Sequence, residues 1–80
     1  MTEQEVLDRL TPLFRDIFQD HEITVSSDTT AADVKRWDSL THIDMIMLVE
    51  ENFGIRVPTR EVTRMKNVGD LIQVIQAQAK

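Results

Sequence analysis

Trp37-Asp38-Ser39-Leu40 puts a serine at the doorstep of an apolar, helix-forming stretch that runs to Phe53. A serine becomes a nucleophile only with an adjacent base and a third group to orient that base. His42 lies three residues on, but a projection at about 100° per residue turns it toward the side of Met45 and Val49. No glycine-rich elbow or oxyanion arrangement surrounds Ser39, so no catalytic residue is assigned and hydrolysis is disfavoured. The ordinary role of a serine here is an N-cap. The position also suits an anion, because a helix N-terminus favours a nearby negative charge by about 0.3–1 kcal/mol. A phosphodiester on the Ser39 oxygen would sit in that field. Asp38 opposes it electrostatically, so its expected role is in modification, helping to position a metal-bound donor. The site therefore reads as a place of attachment.

The elements that must hold this serine are helical. Val6, Leu10, Leu13, Phe14, Ile17 and Phe18 recur at spacings of three and four, predicting a first helix from about Glu3 to Gln19. Pro12 either kinks it or restarts it with Thr11 as cap. Residues 20–38 form a long connection, which Ile23, Val25, Val34 and Trp37 can pin to the core. Inside it, Thr30-Ala31-Ala32-Asp33 resembles a capping-box turn. A second helix starts at Asp38–Ser39 and stops near Gly54. Thr59 opens a short helix to about Met65. A last helix, capped by Asn67-Val68-Gly69-Asp70, aligns Val68, Leu71, Ile72 and Ile75 on one face. Only Ile23-Thr24-Val25 looks like strand, and it is too short for a sheet. The expectation is an all-α fold: a small antiparallel four-helix bundle, three main helices and one short, in a single domain spanning 1–80.

The second helix has more apolar surface than one buried face can use. Met45, Ile46, Val49 and Phe53 share one side, while Leu40, Ile43 and Met47 share the other, flanked by Asp44 and Glu51. A helix apolar all round is normally buried all round, which so small a bundle cannot arrange. The outer stripe is either covered by the long connection or serves as a docking surface. Exposed methionine suits adaptable surfaces, favouring docking.

Composition narrows the function further. Eighty residues bury only about 60% of the unfolded surface, so the core is thin. There is no cysteine, and His21 and His42 have no ligand spacing, which argues against a metal site. A net charge of −5 disfavours nucleic acid. The charge is uneven: residues 1–33 carry −6 and residues 34–80 carry +1. With no membrane-length apolar run and no secretory signal, no membrane insertion is expected and a cytoplasmic monomer is the default.

With these residues in place, the chain resembles an acyl carrier protein of the phosphopantetheine-binding family, from about Val6 to Ile75. Asp38-Ser39-Leu40 matches the family's attachment motif. Ile43-Asp44 and Leu48-Val49-Glu50-Glu51-Asn52-Phe53-Gly54-Ile55 match its second helix. Val57-Pro58 and Asn67-Val68-Gly69-Asp70-Leu71 match the approaches to its third and fourth. The resemblance implies that Ser39 receives 4′-phosphopantetheine from coenzyme A, through a phosphopantetheinyl transferase, and carries acyl groups as thioesters. It implies that Leu40, Ile43, Asp44, Met47, Glu50 and Glu51 meet acyl-loading, condensing or transferring enzymes, and that the chain is not itself an enzyme. Arg36-Trp37 replaces the small residues that precede the motif in many fatty-acid carriers, and the glycines of peptidyl carriers. Arg56, Arg60, Arg64 and Lys66 replace acidic residues around the third helix. These departures indicate a specialised, free-standing carrier of fatty-acid, polyketide or related biosynthesis. The alternative is an unmodified helical interaction module that uses the Leu40/Ile43/Met47 stripe.

Overall fold

A computed structural model describes residues 1–78. Four helices follow in order: α1 (Glu3–Ile17), α2 (Ser39–Phe53), α3 (Thr59–Arg64) and α4 (Val68–Gln78). A single 3₁₀ turn, Ala31–Asp33, interrupts the long connection between α1 and α2. The all-helical expectation holds, and no described residue is in a strand.

Helix α1 begins with a capping box. The Glu5 N–H donates to Thr2 Oγ1 at 3.1 Å, and the Thr2 N–H to Glu5 Oε1 at 3.0 Å. The Thr-x-x-Glu signature was available in the sequence. The helix runs through Pro12 without restarting, and ends at Ile17, two residues earlier than its periodicity suggests. Thr11 caps nothing; its hydroxyl donates to the Leu7 carbonyl at 2.9 Å.

Helix α1 is the spine against which α2 and α4 pack. Arg9, in its first half, donates to the Asn52 carbonyl at 2.7 Å and lies 4.2 Å above the Phe53 ring, at the end of α2. Phe14, near its far end, meets Trp37 just before α2. The two helices are therefore antiparallel. Gln76, late in α4, reaches the Met1 carbonyl at 3.1 Å, so α4 also runs against α1. Between them lie Val6, Leu10, Phe14, Met45, Val49, Leu71, Ile72 and Ile75, all buried.

The long connection is packed, as its apolar residues require. Val25 and Val34 are buried, and Ile23 and Trp37 are half-buried. Its backbone also closes α4, whose first N–H groups have no partner within the helix. The Val68 N–H donates to Thr29 O at 2.9 Å, and the Gly69 N–H to Ser27 O at 2.8 Å. That close approach explains Gly69: a Cβ there would lie 3.0 Å from Ser27 O and 3.1 Å from Asn67 Oδ1. Gly54 has a different reason, since it ends α2 in the left-handed region at φ 65°.

Helix α3 has no fully buried residue, though Val62 packs against the core. The turn before it is held by Glu50 Oε2, which accepts from the Val57 N–H at 2.9 Å. Gln78 also clasps that turn, accepting from the Arg56 N–H at 3.0 Å and donating to the Arg56 carbonyl.

Two substitutions check this packing by thermal or denaturant unfolding. Gly69→Ala forces a methyl against a backbone carbonyl and should destabilise by about 1–3 kcal/mol. Ile72→Ala should cost about 2–5 kcal/mol as a buried truncation. A Gly69→Ala protein as stable as the parent would contradict the close approach.

Candidate functional site

Asp38, and not Ser39, caps α2. Its Oδ1 accepts from the Leu40 N–H at 2.9 Å and the Thr41 N–H at 3.0 Å. Thr41 returns the interaction, its Oγ1 accepting from the Asp38 N–H at 2.8 Å. The same hydroxyl donates to the Arg36 carbonyl at 2.7 Å, tying the helix start to the loop. The Thr41 N–H, followed by the Thr41 hydroxyl and the Leu40 N–H, holds the Asp38 carboxyl below its ordinary range. Two of the N–H groups expected to await an anion are thus already occupied by Asp38.

Ser39 is the first residue of α2 and is exposed. Its hydroxyl makes no hydrogen bond among the described residues, because the capping task has passed to its neighbour. The other two serines differ. Ser26 Oγ lies 3.3 Å from Thr29 Oγ1, and Ser27 is half-buried where its carbonyl meets α4.

His42 does not face Ser39 as a base. The Trp37 indole N–H donates to His42 Nδ1 at 3.0 Å, and His42 Nε2 lies 3.1 Å from the Val62 carbonyl. Indole is a donor only, so Nδ1 accepts and Nε2 carries the hydrogen given to Val62. The two rings also stack, 5.9 Å apart and inclined by 22°. On its other side Trp37 meets Phe14 and Phe18, each at 5.5 Å. This relay from loop to α2 to α3 joins residues 25 positions apart in sequence, and no local pattern announces it.

Beside Ser39 a groove of about 530 Å³ opens between α2 and α3. Trp37, Ile43, Val62 and Met65 give it an apolar lining, to which Thr63, Lys66 and Asn67 add polar groups. Its size is that of a small-molecule site.

The outer stripe of α2 is uncovered. Leu40 is 76% exposed, Met47 61% and Ile43 53%, so the long connection does not lie over them. Met45, Ile46 and Val49 are buried as the projection requires, whereas Phe53 is only half-buried beneath Arg9. Asp44 and Glu51 are exposed along the stripe. Glu50 is half-buried, with one carboxylate oxygen engaged by the turn before α3. Arg56, Arg60, Arg64 and Lys66 are all exposed, on and around α3. His21 is exposed in the loop, and among the described residues no three ligating side chains gather to hold a metal ion. Among those residues, too, no helix is long and apolar enough to cross a membrane.

Residues 8–75 match the family model described as Phosphopantetheine attachment site, so the chain belongs to the phosphopantetheine-binding carrier family. It is similar to the acyl carrier protein of Thermosynechococcus vestitus, 32% identical over 76 residues covering 94% of this chain and 93% of the relative. It is similar to the acyl carrier protein of Lactobacillus acidophilus as well, 26% identical over 77 residues and 96% of each chain. A solution structure of the holo acyl carrier protein from Geobacter metallireducens superposes with a TM-score of 0.84 at 39% identity, covering 90% of this chain and 83% of that one. The protein is an acyl carrier whose prosthetic group is 4′-phosphopantetheine.

The capping geometry fixes an acid response. A folded carboxyl held below its unfolded value, about 3.9 for aspartate, adds stability above that value. The contribution is lost as pH falls through the lower folded value. The Leu40 and Thr41 amide resonances should therefore titrate together below about pH 3.9, and Asp38→Asn should abolish that step. Titration at or above the ordinary value would contradict the cap.

Proposed function

We propose that Ser39 Oγ is the attachment point of the phosphopantetheine arm, installed from coenzyme A by a separate transferase. The observation that carries this is the division of labour at the head of α2. Asp38 closes the helix, leaving an exposed, unengaged serine hydroxyl beside an apolar groove. Once attached, the arm supplies a thiol that bears acyl groups as thioesters. Asp38 serves modification by holding Ser39 at the first helical position, and by presenting a carboxylate to a metal-bound donor. The chain catalyses nothing itself, since His42 has both ring nitrogens committed to structural partners.

Partner enzymes read the outer face of α2. Leu40, Ile43 and Met47 offer an apolar stripe, and Asp44 and Glu51 a negative rim. A complementary surface has an apolar pocket edged by basic side chains, which steer the encounter. Glu50 contributes its charge from behind while holding the turn before α3. The partners are acyl-loading, condensing or transferring enzymes meeting a cytoplasmic, monomeric carrier. The basic residues Arg56, Arg60, Arg64 and Lys66 give α3 and its flanks a different charge from the docking face, consistent with a specialised role.

Incubation with coenzyme A, magnesium and a broad-specificity phosphopantetheinyl transferase should add the mass of one arm, and Ser39→Ala should abolish the gain. No gain under conditions that modify a control carrier would contradict the assignment. Separately, Leu40→Ala, Met47→Ala and Glu51→Lys should slow modification severalfold while changing stability by no more than about 0.5 kcal/mol. Equal losses of stability and of transferase use would contradict a docking role.

A further inference from the structure

We propose that Trp37 and His42 form a bar across the inner end of the groove beside Ser39, limiting the carrier to short acyl groups. This rests on the reading of Ser39 as the attachment point. The groove is apolar, yet none of Leu10, Phe14, Met45, Val49 and Ile72 lines it. It is a trough between α2 and α3 that stops short of the bundle's interior. What stands between is the Trp37 indole, packed on Phe14 and Phe18 behind and stacked on His42 in front.

The bar is locked as well as bulky. For a chain to pass, Trp37 or His42 must swing aside, and each ring is tied by its polar atom. The indole N–H would lose His42 Nδ1, and the imidazole N–H would lose the Val62 carbonyl. That carbonyl lies in the last turn of α3, where intrahelical partners run out. The Lys66 N–H, four residues on, is engaged by Asp70 Oδ2 at 2.8 Å. His42 is therefore what satisfies Val62, and displacing it leaves unpaired groups on both sides. Opening toward the interior is opposed at two hydrogen bonds and three ring contacts.

Kept out of the interior, the cargo has the groove of about 530 Å³ beside Ser39 as its apolar shelter. Methylenes inside the trough leave water and gain protection, while methylenes beyond it return to solvent. Thr63, Lys66 and Asn67 add polar groups to the lining, which suits short acyl groups that carry oxygen. A long, unsubstituted chain finds no continuous apolar path.

The test loads the full chain with acetyl, butyryl, hexanoyl, octanoyl or dodecanoyl phosphopantetheine from the matching acyl coenzyme A. Thioester cleavage by hydroxylamine is then timed. Protection should rise severalfold from acetyl toward hexanoyl and level off by octanoyl. Emission from Trp37, the sole tryptophan, should shift over the same range and then stop. His42→Ala should move the plateau to longer chains, whereas His42→Phe, which keeps a ring in place, should retain it. Protection rising through dodecanoyl in the parent would overturn the bar, as would an unmoved plateau in His42→Ala. Failure of the parent to gain any mass on loading would overturn the attachment reading, and the bar with it.

Discussion

Everything at the working end of this molecule follows from the Asp38 carboxylate taking the first free N–H groups of α2. A helix must satisfy those groups, and a serine directly ahead of them ordinarily does so. Because Asp38 occupies that role, Ser39 moves to the first helical position with its hydroxyl exposed and unengaged. Thr41 reinforces the arrangement by bonding back to Asp38 and onward to Arg36. The serine is thus presented on a rigid support, although its own side chain contributes nothing to that rigidity.

A second constraint comes from size. So small a bundle cannot surround every helix, and α2 is left with one face inside and one outside. The long connection is spent elsewhere: Ser27 and Thr29 close the start of α4, and Trp37 roofs Phe14 and Phe18. That leaves Leu40, Ile43 and Met47 uncovered beside the serine. The exposed serine, the uncovered stripe that begins at Leu40 and the groove consequently lie together on α2.

Much of this was legible in the sequence. The helices follow from apolar spacing, and Gly54 and the Asn67-Val68-Gly69-Asp70 run mark an end and a beginning as local rules require. The two faces of α2 were separable by projection alone, because helical geometry decides them before tertiary packing does. Phe53 was the exception, since Arg9 lies over its ring from another helix. Pro12 showed a different limit: α1 continues through it as one helix, without the restart at Thr11. The site was less readable than the fold. Whether Asp38 or Ser39 capped the helix depended on which of them the backbone left extended, and that residue is Asp38, at φ −124° and ψ −170°. The link from Trp37 through His42 to Val62 joins three elements whose proximity only the folded chain creates. Glu50 likewise looked like another surface acid until its bond to Val57 appeared.

The central claim concerns where a single covalent bond forms in the living cell. Protein purified from its natural source, digested and sequenced by mass spectrometry, examines it without any added transferase. The account predicts phosphopantetheine on the peptide that contains Ser39, and none on the peptide that contains Ser26 and Ser27. Native protein bare at Ser39, or bearing the group on either of the other serines, would contradict it.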